Sequence, residues 1–267
     1  MEITQLVGYF LAVLVGVSLG LIGSGGSILT VPILVYIMAV EPVLATAYSL
    51  FIVGATALVG GIQSARLKKV DFKTAIIFGI PSIVAVYLTR AYLVPFLPDT
   101  FFTFQSFVLT KPIAFMLLFA VVMILASVSM IRPSKIVIDE NAPMQYNYPL
   151  ILLEGTFVGV LTGLVGAGGG FLIIPALVLL ARMPMKLAVG TSLFIIAAKS
   201  LLGFLGDLKG NEIIDWNLLM LFTTASIIGI FIGIALAKKI DGAKLKTGFG
   251  WFVLVMGVYI ILKELVL

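Results

Sequence analysis

Apolar stretches of about 17–23 residues follow one another along this chain, separated by short polar connections. A helix of that length crosses a hydrocarbon core about 30 Å thick. Inside such a core no water bonds the backbone, so a crossing segment must satisfy its own N–H and C=O groups as helix, or close into a barrel. Barrel strands would read as shorter segments alternating apolar and polar residues, and that pattern is absent. Composition agrees: 61% of residues are apolar and 11% charged, against about a quarter charged in a water-soluble domain. The fold class is therefore all-α and polytopic, with the lipid bilayer as its first partner.

The apolar segments fall at about 3–22, 27–40, 43–63, 71–93 and 112–131, then at about 149–165, 171–181, 187–206, 216–237 and 246–264. The second set restates the first. Adding 143 carries Gly16-Val17-Ser18-Leu19-Gly20-Leu21-Ile22-Gly23-Ser24-Gly25-Gly26 onto Gly159-Val160-Leu161-Thr162-Gly163-Leu164-Val165-Gly166-Ala167-Gly168-Gly169. The same displacement takes Pro32 to Pro175 and Ser49-Leu50-Phe51-Ile52 to Ser192-Leu193-Phe194-Ile195, and about 17 of roughly 39 positions are identical without a gap. Shared register across glycines, proline and the later tetrapeptide marks an internal duplication. The expected organisation is a first membrane repeat over 1–131, a linker over 132–148, and a second membrane repeat over 149–267.

Basic residues in short connections set orientation. Arg66, Lys68, Lys69 and Lys73 put the first long connection in the cytoplasm, whereas its counterpart at 207–215 sets Lys209 against Asp207, Glu212 and Asp215 and belongs outside. Arg132 and Lys135 in the linker, and Lys238, Lys239, Lys244 and Lys246 before the last segment, fit the cytoplasm. Equivalent connections lie on opposite sides, so the two repeats are expected to have inverted topology. Each would contain a glycine-rich helix break or re-entrant hairpin plus three full spans, with both termini outside an inner or plasma membrane. Met1-Glu2-Ile3-Thr4 enters the first segment without a basic leader, so that segment reads as a permanent span.

Inverted repeats interrupted at matching positions point to a secondary transporter with a site near the midplane. The interruptions are Gly23-Ser24-Gly25-Gly26-Ser27 and Gly166-Ala167-Gly168-Gly169-Gly170. Glycine lets the backbone turn and bring N–H groups up to a ligand, and the start of the next helix favours an anion. Gly16, Gly20, Gly159 and Gly163 suit close helix packing instead. Ser49, Thr191 and Ser192, early in the following spans, add hydroxyls, although such hydroxyls often bond back to their own helix. Lys199 stands mid-span, where a charge costs at least ~2.5 kcal/mol. It reads as a counter-charge for an anion; snorkelling to the surface or pairing with Glu154 would be structural alternatives. Arg90 reads as marking the end of its span, and Trp216 and Trp251 as interfacial anchors.

Two glycine-rich motifs each ending in proline, Gly20–Pro32 and Gly163–Pro175, followed by Ala188-Val189-Gly190-Thr191-Ser192-Leu193-Phe194, resemble those of the TauE/SafE sulfite-exporter family. The resemblance covers the whole chain. It implies a carrier of sulfite, sulfonates, sulfoacetate or related sulfur-containing anions, driven by an ion gradient. The first motif has Ser24 and Ser27 where the second has Ala167 and Gly170, so the two loops need not act alike.

The function expected is alternating-access transport of such an anion between the two glycine loops, which would approach one another near the midplane. The alternative is a channel-like or cation-transporting protein on the same scaffold, and it would need intramembrane acids that are scarce beyond Glu154. With no histidine and no cysteine, the commonest metal ligands and near-neutral proton carriers are missing. No enzyme activity, cofactor or metal is expected, and the net charge of +5 is no sign of nucleic-acid binding. Coupling to proton or sodium, and a homo-oligomer, are left open. Proton coupling would have to use Glu154, Lys199 or the substrate.

Overall fold

The structure, a computed structural model, describes residues 3–104, 107–132, 148–166, 169–180, 183–208, 214–237 and 242–266. Helix α1 (Ile3–Ile22) leads through a 3-10 turn, Gly23–Leu29, into α2 (Thr30–Tyr36). Then come α3 (Pro42–Arg66), α4 (Phe72–Leu88), a π-helical turn Thr89–Leu93, and α5 (Val94–Phe96). Strands β1 (Thr100–Phe104) and β2 (Phe107–Thr110) pair antiparallel before α6 (Lys111–Ile131). The second half holds α7 (Tyr148–Val165), α8 (Gly170–Leu180), α9 (Met185–Asp207), α10 (Trp216–Leu236) and α11 (Gly242–Val266). Seven helices among the described residues are long and apolar enough to cross a membrane. The protein is a multi-pass α-helical membrane protein. The β-hairpin is an element that the apolar pattern did not announce. Residues 133–147 of the expected linker, and Arg182, Lys209, Glu212, Lys238 and Lys239, lie outside the described residues.

Helix starts are set locally. The Glu41 carboxylate accepts the Leu44 N–H at 2.9 Å, with Pro42 in the first turn. Asp71 and Asp215 cap α4 and α10 by accepting the N–H groups of Thr74 and Leu218. Helix faces then separate. On α4, Ile76, Ile80, Val84 and Leu88 are exposed at four-residue spacing, while Phe78, Ser82 and Ala85 are buried. An apolar outer stripe of this kind meets acyl chains, and the polar side chains turn inward.

The principal pairings all join one half to the other: α1 lies along α10, α7 along α4, α3 along α9, and α6 along α11. Small residues set the approach. A Cβ on Gly16 would lie 1.9 Å from the Ser226 carbonyl oxygen, and one on Gly229 would lie 2.0 Å from that of Val13. The Ser226 hydroxyl also donates across this contact to the Ala12 carbonyl at 3.0 Å. Gly159 meets Ser82, and Gly163 meets Thr89, in the α7–α4 contact.

Directions follow from the same neighbours. Leu50 meets Gly203, Gly54 meets Leu201, and Gly60 meets Leu193, so α3 and α9 run antiparallel. Gly250 against Ile131 and Gly257 against Ile124 make α6 and α11 antiparallel too. Two backbone contacts are reciprocal: the Asp71 N–H donates to the Thr191 hydroxyl at 2.9 Å, and the Asp215 N–H donates to the Tyr48 hydroxyl at 2.5 Å.

Where helices touch at backbone distance, an added side chain must part them. Gly16→Leu and Gly229→Leu are each expected to destabilise the detergent-solubilised protein by about 1–3 kcal/mol, read as a lower melting temperature. Gly79→Ala and Gly248→Ala, where nothing lies within 4 Å of the new carbon, are expected to leave it unchanged or slightly raised.

Candidate functional site

Helical geometry stops at two equivalent residues. Gly23 follows α1 with φ +73°, and Gly166 follows α7 with φ +74°. Side-chain-bearing residues rarely adopt this left-handed conformation, and glycine does so freely. Each break is covered by a long helix of the other half. A Cβ on Gly23 would lie 2.7 Å from Val189 Cγ1, near the start of α9; one on Gly166 would lie 2.5 Å from Thr46 Cα, near the start of α3.

Beyond the break the halves differ. In the first, Gly25, Gly26 and Ser27 belong to the 3-10 turn Gly23–Leu29 rather than to an open loop. Gly26 packs back on α1, where a Cβ would meet Ser18 Oγ at 2.3 Å. In the second, Gly169 is again left-handed, with φ +57°, and α8 begins at Gly170. Ala167 and Gly168 lie outside the described residues, as does the side chain of Ser24.

Gly23 and Gly166 themselves stand apart, yet the segments they open pack together: the turn Gly23–Leu29 lies against α8, with Ile174 beside Gly23, and Ile28 shares one core cluster with Val165. Because α3 and α9 are antiparallel, Thr46 and Val189 mark opposite ends of that pair, separated by roughly 25 Å at 1.5 Å per helical residue. What lies between them is Lys199. Its side chain is fully buried, and Nζ donates to Thr162 Oγ1 at 2.9 Å. A Cβ on Gly169 would sit 2.9 Å from the same nitrogen. The ammonium therefore neither reaches the surface nor pairs with Glu154, and it stands beside the second break. Thr56, its counterpart in the first repeat, donates back to the Ile52 carbonyl at 2.7 Å. Only one half carries the charge.

The hydroxyls divide. Ser192 donates to the Val189 carbonyl of its own helix at 2.8 Å, and Thr191 is engaged by Asp71. Ser49 is fully buried and its Oγ has no hydrogen-bond partner. Thr30 and Ser200 are in the same state. Sequence reasoning passed over both, although a serine beside Lys199 in an apolar span was a signal. Arg90 departs furthest from expectation. It does not mark a span boundary at the surface: it is 1% exposed, inside the π-helical turn, and its Nη1 pairs with Asp207 Oδ1 at 3.4 Å. Burial of a guanidinium depended on Asp207 lying opposite, 117 positions away.

A buried ammonium beside a glycine break can hold a small anion, and orphaned hydroxyls can add donors. Comparison with known proteins bears on this. The model of the family described as "Sulfite exporter TauE/SafE" matches residues 9–260. A probable membrane transporter protein of Xylella fastidiosa is 30% identical over 261 residues, covering 94% of this chain and 92% of that protein. One of Methanocaldococcus jannaschii is 27% identical, covering 94% and 95%. One of Bacillus subtilis, YunE, is 28% identical, covering 86% and 88%. No solved structure matches significantly.

Thr162 supplies the hydrogen-bond acceptor for a buried cation. Thr162→Val is expected to cost about 1–3 kcal/mol of stability in detergent, read as a fall in melting temperature. Thr162→Ser is expected to retain most of it.

Proposed function

We propose that this chain, which belongs to the sulfite exporter TauE/SafE family, carries a small sulfur-containing anion (sulfite, a sulfonate or a related organic acid) across the membrane by alternating access. The observation that carries the reading is the buried Lys199 ammonium against Gly169 and Thr162. A charge within a span is costly, and a passing anion would offset it. A cation would meet repulsion at the same point, which counts against a channel-like or cation-transporting alternative.

The proposed scaffold is a pair of inverted repeats. Reciprocal contacts support it: Gly23 against Val189 and Gly166 against Thr46, Asp71 with Thr191 and Asp215 with Tyr48. Contacts that exchange in this way are those a two-fold relation generates. Equivalent helices α3 and α9 run antiparallel, as do α6 and α11, in keeping with an axis in the membrane plane. The binding station in this reading is Lys199 with Gly166, Gly169, Gly170, Ser49 and the backbone of Ala167 and Gly168. Gly23, Ser24, Gly25, Gly26 and Ser27 would line the other end of the path, with Thr191 and Ser192 beside it. Movement of the two hairpins, α1–α2 and α7–α8, against α3 and α9 would open the ends in turn. Both termini would lie outside, and proton or sodium would be the coupling ion.

Uptake of radiolabelled sulfite, sulfoacetate and taurine into proteoliposomes tests the reading. Saturable uptake of at least one is expected, with Lys199→Met lowering its initial rate by on the order of tenfold or more and leaving a monodisperse, folded protein. Flux of a metal cation without flux of any sulfur anion would sink it.

A further inference from the structure

At the end of the bundle opposite Arg66–Lys73, a cavity of about 220 Å³ opens among the start of α3, the π-helical turn and α5, the start of α6, the end of α9 and the approach to α10. Val43, Ala47, Arg90, Lys111, Asp207 and Ile214 are among its lining residues. Its charges are not mutually satisfied. The Arg90 guanidinium has five N–H donors; Nη1 makes the 3.4 Å contact to Asp207, while Nε and Nη2 have no hydrogen-bond partner among the described residues. Asp207 Oδ2 also lacks one. Lys111 adds a second cation, its Nζ 3.4 Å from the Leu97 carbonyl oxygen. Among its described lining residues, two cations and one carboxylate leave one positive charge in excess.

The cavity adjoins the second glycine break. Thr46, which covers Gly166, sits on α3 between Val43 and Ala47, and Thr89, next to Arg90, packs against Gly163 of α7. At the equivalent place at the opposite end the packing differs. There Gly190, the counterpart of Ala47, is packed on the Lys69 carbonyl oxygen, which lies 2.0 Å from where a Cβ would be. Ser64, the counterpart of Asp207, bonds its own helix through the Gly60 carbonyl.

We propose that this cavity is an entry vestibule in which a small oxyanion docks on the Arg90 guanidinium, displacing Asp207, before passing the Gly166 break to Lys199. The assignment rests on the anion-carrier reading above. Nε and Nη2 of Arg90 are buried and have no partner among the described residues; once Asp207 is displaced they offer two parallel donors in the geometry that two oxygens of a sulfonate or sulfite accept. Lys111 supplies a point charge at the rim. Asp207 holds the guanidinium when the cavity is empty and competes with the anion when it is not.

The test uses the purified full-length protein. Anion binding is read as the sulfite- or methanesulfonate-dependent rise in melting temperature, and transport as sulfite uptake into proteoliposomes. Asp207→Asn removes the competing charge and is expected to tighten sulfite binding several-fold. Arg90→Gln combined with Asp207→Asn removes both charges without leaving either one buried alone. This double variant is expected to raise the KM of uptake about tenfold with kcat little changed, and to lose the binding shift. Lys199→Met is expected to keep the vestibule shift while uptake falls. Sulfite uptake whose KM is the same in the double variant as in the natural protein would overturn the vestibule and leave the carrier reading standing. Neither uptake nor a binding shift for any of the anions would overturn both.

Discussion

A hydrocarbon core offers no partner for a backbone group, so every point at which this chain leaves helical geometry must be covered by protein. Gly23 and Gly166 are those points, and the remaining architecture follows from covering them. The start of α9 lies on the first and the start of α3 on the second. Each of these covers comes from the other half, and each half also packs on its own break segment, as Gly26 does on α1. The pairings α1–α10 and α7–α4 extend the same exchange along the bundle.

Polarity inside the bundle is used sparingly, and almost every polar side chain has a structural reason to be there. Hydroxyls of Thr56, Ser82, Thr89, Ser192 and Thr223 return to carbonyls of their own helices. Tyr48 and Thr191 receive the N–H groups of the residues capping α10 and α4. Against that background the exceptions stand out: Lys199 held by one threonine hydroxyl, the partnerless hydroxyls of Ser49, Thr30 and Ser200, and an arginine with unfilled donors. Groups in this condition carry a desolvation cost that a bound polar solute would offset.

The duplicated halves are not equal in chemistry. Lys199 faces Thr56 across the duplication, Asp207 faces Ser64, and Gly170 faces Ser27. The backbone repeats closely enough that the break angles at Gly23 and Gly166 differ by a degree, while the charged side chains occur once. The buried charges Lys199 and Arg90 therefore have no charged counterpart across the duplication.

Membrane class, helical content, duplication and the positions of both breaks were legible in the sequence. They depend on local quantities: apolar length, glycine density and register, which lipid and backbone sterics translate directly into structure. The packing role of Gly16, Gly159 and Gly163 was legible for the same reason, as small residues at helical spacing. Which residues cover each break was not, because that depends on how α3 and α9 cross. Arg90 was misread because its burial depends on Asp207 arriving from the other half. Lys199 was recognised as costly from its place in a span, yet only packing gave it Thr162 and Gly169 as neighbours. The sequence by itself determined where helices begin, break and face lipid. The tertiary structure decided which polar groups would be left facing one another without water, since that depends on contacts between residues distant in the chain.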